Sequence, residues 1–574
     1  MLYPQHNPYR QVHQLATYWQ IQFDPDGQGL DAGWTKGLPQ GRPVAVPASW
    51  NDQFENSRDF LGPAWYQVQF DRPWGWDRQA IYLRFGSVNY LADVWLNGVH
   101  LGSHEGGHLP FEFLVSEQVE QAGNLLIVRV DGDLASDRVP PGNITGGEID
   151  FFAHHDGIYP QTQFDFFPYC GLHRPVVLYA STPGGIRDIT VKTEIDGSTG
   201  IVDIRVEHGL SDAEIHYALN GQSLPIVDGS RLIVENASFW SPESPSLYDL
   251  TVDLTRDGEV LDRYTLPVGI RTIHVEGSTL LLNNEAIHLK GFGRHEDFPI
   301  VGRGLPPAAV IRDFEIMKGL GANSFRTTHY PYSEEMMFLA DRLGFLVIDE
   351  TPAVGLFFRE SGLERRTTLV QQYTRELIAR DKNHPSVIMW CLANEPHSLR
   401  PAAKPIFQEL YTLAKSLDDS RPVSIVSFTG VPEDSFDFLD VVCVNRYHGW
   451  YFEQGRIADG VDAMEQGIEA VYKRYQKPVV LTEFGADALA GWHADPPEMF
   501  SEEYQAEMIK GYIERLADKP YVAGTHVWCL CDFKTSQSTG RAASLNTKGV
   551  FTRDRKPKLA AHTLRALWKG GGEQ

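Results

Sequence analysis

The sequence predicts a multidomain protein of the β plus α/β kind: two antiparallel β-sandwiches, the second of immunoglobulin size, followed by a C-terminal (β/α)8 barrel. Three observations carry this. The 574 residues exceed what one hydrophobic core fills. The first half is a succession of short alternating apolar and polar runs with no long helical period. Past residue 280 or so, apolar runs alternate with amphipathic helical patterns instead.

Residues 1–182 hold runs such as "RQAIYLRFGSVNYLADVWLNG" and "NLLIVRVDG", split by Gly, Asn and Pro, which is the pattern of a β-sandwich. Residues 183–274 continue with "IRDITVKTEI", "GIVDIRVEH" and "YDLTVDLTRDGE", enough short strands for a second sandwich. Residues 275–574 carry strand candidates at 286–292, 321–327, 345–350, 386–395, 423–428, 440–447, 478–484 and 523–533. Helical patterns such as "AAVIRDFEIMKGLG", "EEMMFLADRLG" and "EYQAEMIKGYIERLAD" lie between them, which points to a TIM barrel.

Composition narrows the function. The 75 acidic against 51 basic side chains leave a net charge of −24, which argues against nucleic acid or an anionic membrane as the main partner. An anionic small ligand would need a local basic site. "MLYPQHNPYRQVHQ" has no basic segment leading into an apolar core, and no 18-residue apolar run follows anywhere, so a cytoplasmic location is expected. The five cysteines have no CxxC spacing and read as buried free thiols, with Cys529 and Cys531 on one face of a strand. "HHD" at 154–156 reads as solvated loop, because three adjacent residues cannot all face one ion; no metal site and no cofactor are expected.

In a TIM barrel the chemistry sits at the C-terminal ends of the strands. Taken in order, those ends offer Arg294, His295 and Glu296, then Arg326 and His329, Asp349 and Glu350, Asn394 and Glu395, Asn445 through His448, Glu483, and finally Trp528 and Asp532. Glu395 in "WCLANEP" and Glu483 in "VVLTEFG" stand out. Two carboxylates facing one cavity suit glycosidic hydrolysis, one protonating the leaving oxygen while the other attacks or activates water. Asn394 could bond a hydroxyl next to the reacting carbon, and Tyr447 could donate to Glu483 and keep it ionised. The plainer alternative is that either Glu caps a helix or pairs with a barrel arginine.

"NSFRTTHYPY" (323–332) and "DKNHPSVIMWCLANE" (381–395) resemble the two signature segments of glycoside hydrolase family 2, with Cys391 where that family has Ser or Gly. "FLGPAWYQVQF" and "DFFPYCGLHRPVVLY" resemble its sugar-binding jelly-roll domain, and the stretch from Leu266 to Asp297 resembles its passage from sandwich into barrel. By position the resemblance implies that Glu395 is the general acid/base and Glu483 the nucleophile of a retaining double displacement.

Within the family the chain is most similar to the β-glucuronidases. "NTK" at 546–548, followed by "GVFTRDRKPK", resembles their Asn-x-Lys motif, which implies that Asn546 and Lys548 bind the sugar carboxylate. Singly, the resemblance implies that Asp165 holds sugar hydroxyls, that His329 and Asn445 line the pocket, that Tyr447 positions the nucleophile and that Trp528 stacks on the sugar. Arg541 matches a pocket arginine, at a spacing to Asn546 one residue longer than the family pattern. Arg553, Arg555 and Lys556 read as a solvated lead into the last helix.

The implied activity is exo-β-glucuronidase, acting on a conjugate or glycan terminus without a cofactor, in a homo-oligomer. The alternatives are a β-galacturonidase or dual uronidase and, in another class, an inactive carbohydrate-binding protein. His448 stands where bacterial relatives often have tyrosine, so the site beside the nucleophile should bond differently. Only about 17 residues separate "VGLFF" from "ELIARDKNHP", where many relatives carry a longer covering loop, which implies an open site.

Overall fold

The computed structural model describes residues 1–142, 162–224, 226–359 and 361–570; His154, His155 and Asp156 lie outside the described residues. The N-terminal jelly-roll sandwich packs a six-stranded antiparallel sheet, with Ala64–Phe70 and Asn124–Asp131 at its centre, on a four-stranded one containing Val176–Ser181 and Ala80–Phe85. The alternation in "AWYQVQF" decides the faces. Tyr66, Val68 and Phe70 point into the core with Trp19, Trp50 and Leu83, while Gln67 and Gln69 point out. Trp65 falls on the outer face and is buried there against Trp34 and Trp95.

The immunoglobulin-like sandwich joins two four-stranded sheets around Ile189, Val202, Leu232, Leu250, Val252 and Leu254. Its hairpin between Tyr248–Arg256 and Glu259–Val268 turns at Asp257 and Gly258, both with positive φ (52° and 81°), as a two-residue hairpin loop demands.

The barrel closes through eight parallel strands: β1 (Leu289–Gly293), β2 (Ser324–Arg326), β3 (Leu346–Glu350), β4 (Val387–Asn394), β5 (Val423–Ser427), β6 (Val442–Asn445), β7 (Val479–Glu483) and β8 (Val522–Val527). Every residue of β4, "VIMWCLAN", is buried, as a strand covered on both faces requires. The helices are α1 (Pro307–Leu320), α2 (Glu334–Leu343), α3 (Leu363–Asp381), α4 (Ala403–Leu417), α5 (Ile457–Tyr475), α6 (Glu502–Leu516) and α7 (Leu559–Lys569); between β5 and β6 the connection is only a 3-10 turn, Asp434–Asp437. Their ends follow from local chemistry. Ser333 accepts from the Met336 amide to start α2, Glu334 and Glu335 occupy its first turn, and Gly344 closes it in the left-handed region.

Three expectations change. The eighth strand stops at Val527, six residues early, so Trp528, Cys529 and Cys531 follow it as irregular chain; both thiols are buried there. The chain then forms a small hairpin in which Phe533–Lys534 pairs with Leu545–Asn546, and this hairpin delivers Asn546 to the barrel mouth. The stretch after "VGLFF" is chiefly helix, since α3 begins at Leu363.

The largest correction concerns the basic residues past Lys548. Arg555 is buried and donates to Asp313 (2.9 Å), which Arg294 also binds. Arg553 donates to Asp297 of the barrel and to Asp52 (2.9 Å) and the Tyr169 hydroxyl (2.7 Å) of the jelly roll, tying the two together. Only Lys556 is a solvated charge, 2.9 Å from Asp554. Charge alone could not separate them, because the acidic partners are 240 residues or more away in sequence.

Candidate active site

At the C-terminal end of the barrel lies a cavity of about 530 Å³ whose lining includes Asp165, His329, Asn394, Glu395, Asn445, Tyr447, Glu483, Trp528, Arg541 and Asn546. Thus the residues expected from sequence converge, with the exception of Lys548, which is buried outside the lining.

Glu395 follows β4 in a left-handed conformation (φ 45°), uncommon for a side chain with a Cβ, while its amide still bonds the Val426 carbonyl at 2.8 Å and so continues the ladder to β5. Its carboxyl accepts from the Asn445 amide at 2.7 Å, and Thr482 fixes that amide by donating to its oxygen at 2.9 Å. Glu483 ends β7. Arg326, from β2, donates to one of its oxygens and Tyr447 to the other at 2.8 Å. The same guanidinium donates to Glu350 (2.6 Å) and to Asn394 (3.3 Å), so one wholly buried arginine ties the ends of β2, β3, β4 and β7 together. The barrel-arginine pairing that sequence left as the plainer alternative for a strand-end Glu is therefore present, from a buried arginine behind the cavity-lining Glu483.

The electrostatics are unequal. Burial would raise the Glu350 carboxyl, but Arg326 and His329 hold it below the ordinary carboxylate range. Since Glu350 stays ionised, His329 donates to it through Nδ1 (3.1 Å); burial pushes the imidazole down, so it is neutral. Glu483 goes the other way: burial pushes its carboxyl up to about 8, Glu395 and Glu350 add to this, and Arg326 and Tyr447 oppose it. The two cavity carboxylates therefore compete for charge.

A second cluster forms the far wall. Asp165, from the jelly roll, accepts from Arg541 (2.5 Å) and Asn546 (2.8 Å). Asp487, just past β7, accepts from the Thr547 amide (3.0 Å), the Thr547 hydroxyl (2.9 Å) and the Lys548 ammonium, with Arg541 3.6 Å away. Burial would raise the Asp487 carboxyl, but Lys548 and Arg541 hold it below the ordinary range. The Asn546 oxygen accepts from the Lys548 amide at 3.0 Å, which orients the side-chain amide. The Lys548 ammonium lies 4.9 Å from the centre of the Tyr451 ring and 5.3 Å from that of Trp450.

Three family models cover this architecture: the glycosyl hydrolases family 2 sugar binding domain matches residues 12–183, glycosyl hydrolases family 2 matches 185–271, and the family 2 TIM barrel domain matches 273–570. The chain belongs to glycosyl hydrolase family 2. It is 41% identical to the beta-glucuronidase of Paenibacillus borealis over 595 residues, covering 100% of this chain and 99% of the relative. A solved beta-glucuronidase from an uncultured Clostridium sp. superimposes with a TM-score of 0.93 at 38% identity, covering 99% of each chain. The Ruminococcus gnavus beta-glucuronidase in complex with D-glucuronic acid does so with a TM-score of 0.92 at 36% identity, again over 99% of each.

In this family 2 hydrolase Arg541 lies in the loop of the hairpin that ends at Asn546, and it lines the cavity. Sequence reasoning missed Asp487 and Tyr451. Asp487 had a signal, an acid four residues past the strand-end Glu483; Tyr451 looked like one more aromatic in "NRYHGWY". Other strand-end residues serve the framework: Arg294 pairs with Asp313, Glu296 with Arg174 (3.1 Å), and Asp532 with Lys558 (2.7 Å). His448 lines the cavity with its Nδ1 2.8 Å from Glu453.

Proposed function

We propose that this family 2 hydrolase is a retaining exo-β-glucuronidase. The observation that carries the reading is the presence, in one cavity, of a carboxylate pair and of Asn546 and Arg541, with Lys548 buried beside Asp487 next to them, a cluster suited to a uronate. Glu395 and Glu483 share one proton. Arg326 and Tyr447 stabilise negative charge on Glu483, the attacking carboxylate, and Glu395 carries the proton. That proton also removes one of the repulsions that push Glu483 up.

Glu483 then attacks the anomeric carbon as the bond to the leaving oxygen breaks and Glu395 gives that oxygen its proton, leaving a covalent glycosyl ester. Glu395, now ionised, takes a proton from water, which attacks the same carbon and releases Glu483. Asn394 bonds the neighbouring hydroxyl, Trp528 stacks on the ring, and His329 and Asp165 hold further hydroxyls. Asn546, Lys548 and Arg541 receive the carboxylate.

Proton NMR of an aryl β-D-glucuronide digest tests the stereochemistry. β-D-glucuronic acid should appear first and mutarotate later; α-anomer appearing first would refute the double displacement.

Tyr447→Phe removes a hydrogen bond to the ionised nucleophile, worth about 1.5–3 kcal/mol. Because that bond lowers the Glu483 pKa, its loss raises it by about one to two units, and the acidic limb of kcat/KM moves to higher pH by that amount. A pH–rate profile whose acidic limb stays in place would contradict the role given to Tyr447.

The division at residues 1–182, 183–274 and 275–574, the homo-oligomer and the cytoplasmic setting are part of the same proposal. The last is supported by five unpaired, buried thiols. No helix among the described residues is long and apolar enough to cross a membrane.

A further inference from the structure

The cavity continues past Glu395 onto two large apolar rings that solvent reaches. Phe428, directly after β5, is 41% exposed, and Phe452, in the loop after β6, is 61% exposed; both line the cavity that holds the carboxylate pair. Phe428 follows β5, which neighbours β4 and so adjoins Glu395, and Phe452 follows β6, the next strand round, whereas Asn546, Arg541 and Lys548 come from the chain after β8. The leaving oxygen must sit at the acid Glu395, so the group it carries extends toward the Phe428 and Phe452 side.

Both rings are held in place. The Arg446 guanidinium donates to the Phe428 carbonyl at 2.9 Å, and Gly430 makes room for it, since a Cβ there would meet the guanidinium. The Phe452 carbonyl accepts from the Gly449 amide at 2.7 Å, its ring packs on His448 at 5.5 Å, and His448 is itself pinned to Glu453.

Several polar atoms beside the rings already have partners. The Thr429 hydroxyl is 2.9 Å from that of Ser427, the His448 Nδ1 faces Glu453, and the same Arg446 nitrogen that bonds Phe428 also bonds the Asn445 carbonyl at 2.6 Å. A second sugar would bring several hydroxyls to this wall. A flat apolar ring system needs only the two faces.

We propose that Phe428 and Phe452 form the leaving-group subsite and select glucuronides of planar aromatic aglycones over glucuronic acid at the end of a glycan. This rests on the glucuronidase reading and names its substrate class.

The test compares kcat/KM for 2-naphthyl β-D-glucuronide, methyl β-D-glucuronide and a β-D-glucuronosyl-(1→4)-glucose disaccharide in the wild type, Phe428→Ala, Phe452→Ala and the double variant. Dividing each ratio by its wild-type value cancels the intrinsic reactivity of the leaving groups. The naphthyl-to-methyl ratio should fall by about tenfold or more in the double variant and by part of that in each single one. The disaccharide-to-methyl ratio should change far less. An unchanged naphthyl-to-methyl ratio, or a disaccharide ratio that falls as much, overturns the proposal. If the wild type hydrolyses none of the three, the glucuronide reading fails separately, and the naphthyl-to-methyl comparison is made on the glycone that it does hydrolyse.

Discussion

Replacing Glu483 with Ala lowers the turnover of an aryl β-glucuronide by on the order of 10⁴-fold or more. No nearby carboxylate can take its place. Glu350 is the closest in chemistry, but it is wholly buried, bound to Arg326 and His329, and outside the cavity lining. Glu395 is engaged as the acid. The truncated side chain leaves Arg326 with a vacated donor beside the anomeric carbon, so azide should enter there and attack from the same face. The product would be the α-glucuronosyl azide, which liquid chromatography and NMR identify. Near-normal turnover in this variant would remove Glu483 from the mechanism.

Lys548→Ala is expected to reduce kcat/KM for the glucuronide by about 100-fold or more while the matching β-glucoside loses far less. Lys548 and Arg541 are matched in charge by Asp487 and Asp165. An incoming uronate adds a third negative charge. It can be accommodated because Asp487 takes one of the three N–H groups of the ammonium. Without Lys548, Asp487 remains as a buried carboxylate whose repulsion falls directly on the substrate. The Lys548→Ala/Asp487→Asn double variant should therefore recover part of the loss, a result that a simple packing role for Lys548 would not produce.

The fold was legible because it depends on local pattern. The β-strand alternation in "AWYQVQF" and the unbroken apolar run of "VIMWCLA" each state which faces are covered, and the barrel strands fall within a few residues of where the pattern puts them. The eighth strand was overextended because "HVWCLCDF" stays apolar after the ladder ends: Trp528 turns into the cavity and the thiols are buried in irregular chain. In the site, Glu395 and Glu483 could be found because strand ends converge in a barrel. Of their surroundings only the Tyr447 bond to Glu483 was legible, since Arg326 and Asn445 reach the pair from other strands. The basic tail showed the same limit. Arg553, Arg555 and Lys556 read alike, yet the first bridges two domains, the second is buried against Asp313 and only the third is solvated.

The most direct test measures kcat/KM of the wild-type protein on 4-nitrophenyl β-D-glucuronide, β-D-galacturonide and β-D-glucoside under one set of conditions, with Lys548→Ala alongside. A site whose buried donors are built around a carboxylate should favour the glucuronide over the glucoside by about 10³-fold or more, and Lys548→Ala should collapse that ratio. A wild-type ratio near one, or a preference for the glucoside, would contradict the account.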